Sequence, residues 1–294
     1  MEGAEALRKA IERVTGEPPV LGLNCDSVAV LGDTHGYTAP TEWFLKRYLD
    51  HAGCLVVLGD VVDRGSRGVE NLEMIAGAIA EYSHVYLLRG NHESLEMNRW
   101  YGFYEEALEK RGQEYLDLVQ ELYRNLPVAA VWRGVFMVHG GIPCRTCLNE
   151  PEPPIALEEI WERTAAVKGT PRADLPEDEV MFQLLWNDPS LDIDWFSPSI
   201  RGPGAYYYGV KAWGSFIEAN GLDIIVRAHE TVDGALVYTR SGNMIHPLRY
   251  GRPLNIKGVS GSVITVFSSF YHGMRAASLY IDADTIIVEE IPRG

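Results

Sequence analysis

Three short β-rich apolar runs, Val28–Leu31, Leu55–Leu58 and Val85–Leu88, each pass directly into a polar, glycine-containing turn. Between them, Trp43–Leu49 and Val69–Ile79 carry apolar residues at helical spacing; Val69, Leu72, Ala76 and Ile79 share one face. Strand, loop and helix repeated in this order require crossover connections and a largely parallel sheet. In such sheets the loops leaving the carboxyl ends of the strands line one rim, where ligands bind. The three polar turns are therefore expected together.

The rest of the chain fits around that unit. The first fourteen residues place Leu7, Ile11 and Val14 on one face, predicting a surface helix over 1–16 that stops near Gly16. Residues 93–123 read as largely helical with a break near Gly112, and Val135–Val138 as a strand running into His139-Gly140-Gly141. Six prolines between Pro143 and Pro176 mark residues 142–180 as a loop region with an embedded helix, Ile155–Val167, inside the domain. Val210–Ala219 reads as a helix stopped at Asn220-Gly221. Strands are expected at Ile224–Val226, Ala235–Tyr238 and Val263–Phe267, then a hairpin of Ser278–Ile281 with Ile286–Ile291.

Composition narrows the partners. The 294 residues carry 41 acidic and 26 basic side chains, a net charge of −15. That balance disfavours nucleic-acid backbones and anionic membrane surfaces, both of which need Lys/Arg clusters. The longest apolar stretch, Pro127 to Val138, is interrupted by Arg133 and is too short to span a bilayer. The N-terminus has no signal-peptide core, and four cysteines in a chain this long do not make a disulfide framework. A cytoplasmic protein is expected.

The chemistry lies in the turns: Gly32-Asp33-Thr34-His35-Gly36, Gly59-Asp60-Val61-Val62-Asp63-Arg64-Gly65, and Arg89-Gly90-Asn91-His92-Glu93. One Gly-Asp after a strand is usually only a turn or cap. Three in register, each about one βαβ unit from the last, bring carboxylates, imidazoles and an amide to a rigid rim. That mixed set suits Mn, Fe or Zn better than Ca, which takes all-oxygen cages.

These blocks resemble the metallophosphoesterase signature, and Leu88-Arg89-Gly90-Asn91-His92-Glu93 resembles the diagnostic sequence of PPP-family serine/threonine protein phosphatases. The resemblance continues through His139-Gly140-Gly141, Leu185-Trp186-Asn187-Asp188-Pro189, Arg201-Gly202, Arg227-Ala228-His229 and Phe267-Ser268-Ser269-Phe270-Tyr271, in the family's order. It implies one catalytic domain over 1–294 of α/β class, a central β-sandwich of two mixed sheets flanked by helices. It implies two divalent metal ions, Mn²⁺ foremost with Fe or Zn as alternatives, one held by Asp33, His35 and Asp60. The other would be held by Asp60, Asn91, His139 and His229, with Asp60 bridging.

A bridging hydroxide on such a pair leaves the site cationic within an acidic chain, which suits a phosphate monoester. The resemblance assigns His92 to protonate the leaving alkoxide, Asp63 to orient it, and Arg64, Arg201 and Tyr271 to bind phosphate; the alternative for Asp63 is a simple pair with Arg64. Arg227 is a third phosphate-binding candidate or a structural ion pair. His51, His84 and His246 match no motif and read as structural or surface residues. The implied partners are phosphoprotein substrates, without nucleic acid or membrane; regulatory subunits are not readable from the chain.

The family usually carries Ala-Pro-Asn-Tyr-Cys where this chain has Ser269-Phe270-Tyr271-His272, so inhibitor chemistry directed at that cysteine is not expected. No sizeable tail flanks the motifs, so regulation by a tail is not expected either. Cys144-x-x-Cys147 lacks a second pair for zinc and reads as two ordinary loop cysteines, with a redox disulfide as the alternative. Two other functions stay open: a dinucleoside polyphosphate hydrolase of the same superfamily, against which Asp63 and Glu93 argue, and a non-catalytic phosphoprotein-binding scaffold.

Overall fold

The computed structural model describes residues 2–175, 178–245 and 250–293. The first half alternates as expected: α1 (Glu2–Thr15), β1 (Val20–Gly22), β2 (Val28–Leu31), α2 (Thr38–Tyr48), β3 (Cys54–Val57), α3 (Gly68–Glu81) and β4 (Val85–Leu87). Three helices follow, α4 (Leu95–Tyr101), α5 (Phe103–Arg111) and α6 (Gln113–Asn125), then β5 (Ala129–Trp132) and β6 (Val135–Val138). The helical stretch therefore breaks twice, at Gly102 and Gly112, both with positive φ.

The proline-rich region holds α7 (Leu157–Ala165) and α8 (Glu179–Trp186). A small sheet of β7 (Asp188–Pro189), β8 (Phe196–Pro198) and β9 (Tyr206–Tyr208) follows, then α9 (Val210–Ala219). The chain finishes with β10 (Ile224–Arg227), β11 (Ala235–Tyr238), β12 (Met244–Ile245), β13 (Leu254–Asn255), β14 (Val263–Val266), β15 (Ala276–Ile281) and β16 (Thr285–Ile291).

Two mixed sheets result. One runs β1-β5-β6-β10-β14-β11-β12 and the other β13-β16-β15-β2-β3-β4. Strands β2, β3 and β4 are parallel neighbours, with Val28 opposite Cys54 and Leu55 opposite Val85. The hairpin β15–β16 adds to β2 antiparallel.

Strands buried on both faces split their side chains by the period of two. Val28 and Val30 point between the sheets, where they meet Met137, Val226 and Ile264. Ala29 and Leu31 point outward against helices, in the cluster that contains Leu72, Ile75 and Leu116. On the opposite sheet, Phe136 and Val138 pack outward on Trp213 and Phe216. The order is helix, sheet, sheet, helix, as the resemblance implied.

The N-terminal helix is more deeply embedded than a surface helix. Leu7, Ala10, Ile11 and Val14 are buried, and Arg13 Nη1 donates to Ile79 and Tyr82 carbonyls at the carboxyl end of α3. Such capping satisfies carbonyls that the helix leaves without partners.

The sheets converge where the motif turns emerge. Asp33 and Phe267 form an isolated parallel bridge between them. A Cβ on Gly32 would meet the Val266 carbonyl oxygen at 2.2 Å, so only glycine permits this approach.

All four cysteines are paired, so at Cys144 and Cys147 the alternative reading, a disulfide, replaces that of two ordinary loop cysteines. Cys25 and Cys54 join with Cα atoms 6.1 Å apart, because parallel pairing of β2 and β3 brings together positions 29 residues apart in sequence. Cys144 and Cys147 join across their turn, Cα atoms 5.0 Å apart, in place of two free loop cysteines. His84 is structural, its Nε2 at 3.0 Å from the Leu49 carbonyl; His246 lies outside the described residues.

Candidate metal centre

Six proposed donors leave strand ends of both sheets and meet at the convergence point. Asp33 and His35 follow β2, Asp60 follows β3, Asn91 follows β4, His139 follows β6 and His229 follows β10. All are buried. Asp60, His139 and His229 bring donor atoms within 4.8 Å of one another, as do His35, Asp60 and His92.

Backbone carbonyls fix which nitrogen faces inward. His139 Nδ1 lies 3.0 Å from the Leu58 carbonyl, leaving Nε2 toward Asn91 Oδ1 (2.9 Å), Asp60 Oδ1 (3.3 Å) and His229 Nδ1 (3.2 Å). His35 Nδ1 lies 3.2 Å from the Val62 carbonyl, leaving Nε2 at 3.9 Å from carboxylate oxygens of both Asp33 and Asp60. Such carbonyl–imidazole contacts set the tautomer of metal-binding histidines. With Nδ1 donating, His139 Nε2 is an acceptor crowded against two further oxygen acceptors. The buried His229 Nε2 has no partner. Acceptors converging without hydrogens between them fit divalent cations, and the mixed oxygen and nitrogen set matches the chemistry read from the sequence.

The electrostatics agree. Burial, reinforced by the Asp60 charge, pushes the Asp33 carboxyl up to about 7. Burial lowers His35 to about 4, so its ring is neutral and can ligate.

The loops are held under strain. His35, Asp60, Asp63, Arg64 and His229 all have φ between 50° and 69°. Left-handed backbone at non-glycine residues costs about 1–3 kcal/mol each and persists only where surroundings impose it. Glu93 is one such constraint. Its Oε2 accepts from the N–H groups of Asp60 (2.8 Å) and Gly90 (2.7 Å), and its Oε1 from Val61 N–H (3.0 Å). One buried carboxylate thus ties the second turn to the third.

His92 is set apart from the other imidazoles. Its Nδ1 is 2.6 Å from Asp63 Oδ2, and its backbone N–H donates to Asp60 Oδ1 at 2.9 Å. Asp63 is itself fixed by Asn98 Nδ2 (2.8 Å) and Phe103 N–H (3.1 Å), which leaves the simple Asp63–Arg64 pair unrealised. Burial alone would lower the His92 pKa, but the Asp60 and Asp63 charges outweigh it and raise the value.

Arg64 is exposed, its guanidinium 3.8 Å from the Tyr101 ring centroid, with Nη1 3.4 Å from the Tyr271 hydroxyl. Tyr271 is half-buried at the cleft edge, its ring 6.0 Å from that of His35. Arg201 lies beside His229, with Nε on Asp188 Oδ2 (2.6 Å) and Nη2 at 3.4 Å from the His229 carbonyl.

Arg227 takes the structural role. It is fully buried and donates to Gly140 O (2.6 Å), Asp188 Oδ1 (2.7 Å) and Glu230 Oε2 (2.8 Å). Burial would raise the Asp188 pKa, but the His229, Arg227 and Arg201 charges hold it well below the ordinary carboxylate range.

Sequence reasoning missed the supports: Glu93, Asn98, Asp188, and Tyr101, whose ring centroid is 4.9 Å from that of His92. Glu93 and Asp188 lie inside recognised motifs, so position was visible while role was not. Asn98 and Tyr101 sit on a helix and carry no local signal. The cavity of about 690 Å³ beside α4 shares Glu93 with these supports but contains none of the six donors.

Comparison with known proteins agrees with this arrangement. Residues 27–233 match the family described as calcineurin-like phosphoesterase. The chain is 31% identical over 293 residues to a probable serine/threonine-protein phosphatase of Encephalitozoon cuniculi, covering 95% of this chain and 56% of that protein. It is 33% identical over 223 residues to serine/threonine-protein phosphatase 5 of Arabidopsis thaliana, covering 74% and 38%. It thus spans about half or less of the length of these curated relatives. A solved serine/threonine phosphatase structure from Saccharomyces cerevisiae, with similarity to human PP5, superposes with TM-score 0.78 at 24% identity, covering 99% of this chain and 89% of that one. With two thirds of its length matching the family and the donors gathered at one rim, the chain belongs to the calcineurin-like phosphoesterase family.

Proposed function

We propose that the protein is a metal-dependent phosphatase that hydrolyses phosphoserine and phosphothreonine monoesters in proteins. The observation that carries this reading is the 2.6 Å His92–Asp63 pair set beside the converging donors. Metal-only chemistry needs no such pair; a leaving alkoxide needs an acid.

Two divalent cations, with Mn²⁺ the proposed ion and Fe or Zn the alternatives, would supply an activated water and positive charge toward the phosphate. Asp33, His35 and Asp60 would hold one, and Asp60, Asn91, His139 and His229 the other. The protein's own residues do the rest. His92, with Nδ1 on Asp63, keeps Nε2 as the free ring nitrogen, 4.0 Å from Asp60 Oδ2, and delivers that proton to the serine or threonine oxygen. Its raised pKa favours the protonated ring that this step requires. Arg64 and Arg201 present guanidinium edges to the phosphate oxygens. The Tyr271 hydroxyl lies beside Arg64 Nη1 and steadies it at the cleft edge.

Residues 1–294 are proposed to act as one catalytic domain. The supporting observation is that β15 and β16 complete the sheet whose β2 carries the first motif. The proposed partners are phosphoprotein substrates, not nucleic acids or membranes. No helix among the described residues is long and apolar enough to cross a membrane. A cytoplasmic location is proposed.

The test is kcat/KM on metal-defined enzyme across phosphoserine and phosphothreonine peptides, diadenosine tetraphosphate and an aryl phosphate. Phosphopeptides should be preferred over the dinucleotide. The reverse order would replace this reading with the dinucleoside polyphosphate hydrolase.

A further inference from the structure

The Cys144–Cys147 bond closes a turn of only three residues' separation. A disulfide stabilises chiefly by shortening the loops of the unfolded chain, so one this short adds little to the fold. The turn is also held without it: Glu152 accepts from the N–H groups of Arg145 and Thr146 at 2.8 Å and of Cys147 at 3.2 Å. Cys147 adopts φ 61°, a left-handed conformation. Cys144 is buried, whereas Cys147 is half-buried and lines a groove of about 350 Å³ with Arg145, Phe182 and Tyr206. The bond is therefore reachable from solvent at Cys147 and dispensable for stability.

It is also wired to the site. The buried Gln183 side chain touches both cysteines, its Oε1 accepting from Cys144 N–H at 2.7 Å and its Nε2 lying 3.6 Å from Cys147 Sγ. Gln183 belongs to α8. The next residue, Leu184, accepts at its carbonyl from Gly140 N–H (2.8 Å) and Gly141 N–H (3.3 Å), immediately after His139. Trp186, at the end of the same helix, sets its ring 5.8 Å from His229. One short helix thus contacts the disulfide on one side and the supports of two imidazole donors on the other.

We propose that Cys144–Cys147 is a redox-active disulfide, opened by exchange with a dithiol that reaches Cys147 through this groove, and that Gln183 and α8 carry its state to the His139–His229 end of the site. In the exchange, a thiolate of the reductant attacks Cys147 Sγ; the S–S bond breaks and Cys144 leaves as a thiolate that takes up a proton. The reductant's second thiol then attacks the mixed disulfide, releasing Cys147 as a thiol and leaving the reductant as a disulfide. Two electrons and two protons pass to the protein. Glu152 keeps the two thiols close, so the reverse exchange with an oxidised dithiol, which takes back the two electrons and two protons, closes the bond again without a search by the loop. The redox half stands independently of the phosphatase reading; the effect on turnover rests on it.

The experiment titrates the full chain with mixtures of reduced and oxidised dithiothreitol, followed by alkylation and peptide mass mapping, with amide hydrogen exchange and kcat/KM at each point. The Cys144–Cys147 pair should open in a two-electron step while Cys25–Cys54 stays closed. Amide exchange at Gly140 and Gly141 should then quicken about tenfold, the signature of a locally loosened support. C144S/C147S should reproduce the reduced state without a reductant. Gln183→Met should let the bond open with the Gly140 and Gly141 amides unmoved.

A pair that opens only together with Cys25–Cys54, or opens with no change at those amides in the wild-type chain, would overturn the proposal. If the amides respond and phosphopeptides are turned over in neither redox state, the redox assignment stands and the phosphatase reading falls.

Discussion

Glu93 Oε2 accepts the backbone N–H of Asp60 at 2.8 Å, so one buried carboxylate fixes the backbone of another, the one proposed to bridge the metals. Glu93→Gln replaces one acceptor oxygen with an NH₂ group and turns a hydrogen bond into a clash of donors. A buried N–H left without its acceptor costs about 1–3 kcal/mol, and losing support behind a metal ligand weakens metal affinity about 10–100-fold. Thermal denaturation and Mn²⁺ titration of Glu93→Gln should show both losses. Unchanged metal affinity would make the clamp purely structural.

His92→Ala should lower kcat by about 10²–10⁴ for phosphoserine peptides, the usual worth of a general acid. Metal content by mass spectrometry should stay at the wild-type level. The defect should shrink with an aryl phosphate, whose leaving group departs without a proton. An equal loss on both substrates would argue that the substitution disturbs the metal centre instead. Asp63→Asn, which removes the charge but leaves the shape, should follow the same substrate pattern.

Chelation should abolish activity, and Mn²⁺ should restore it. Because the cations bind only the folded chain, each should also stabilise it by about 2.7 kcal/mol at one hundred times its dissociation constant. A melting temperature indifferent to chelator would contradict the proposed donor set.

Leu7 is fully buried in the cluster between α1, α3 and α6. Leu7→Ala should cost about 2–5 kcal/mol of stability, read by denaturant unfolding, while kcat well below the unfolding transition stays at the wild-type value. A fall in kcat there would mean that α1 also supports the site.

Much of this was legible in the chain. Strands such as Val28–Leu31, Val135–Val138 and Ala235–Tyr238 appear at the expected residues because short uninterrupted apolar runs bounded by turns leave little choice. The proposed donors could be picked out because each block follows such a run within a few residues. The short strands at 188–208 were not, being two or three residues long with no alternating pattern. Neither was the Cys25–Cys54 disulfide, which depends on which strands become neighbours, a property of topology and not of local sequence. Arg227 illustrates the same limit. Its charge left a phosphate ligand and a structural ion pair both open, and only the tertiary neighbours Asp188 and Glu230 reveal that the charge is already spoken for.

The bridge from Asp33 to Phe267 stitches the two halves of the sandwich at the same end that gathers the donors. The reaction chamber is therefore a seam, and a seam parts before the cloth tears. Heating should silence the enzyme at temperatures where its circular dichroism is still that of the intact fold, since a slight splaying of the sheets separates His229 from Asp33 without breaking a single strand.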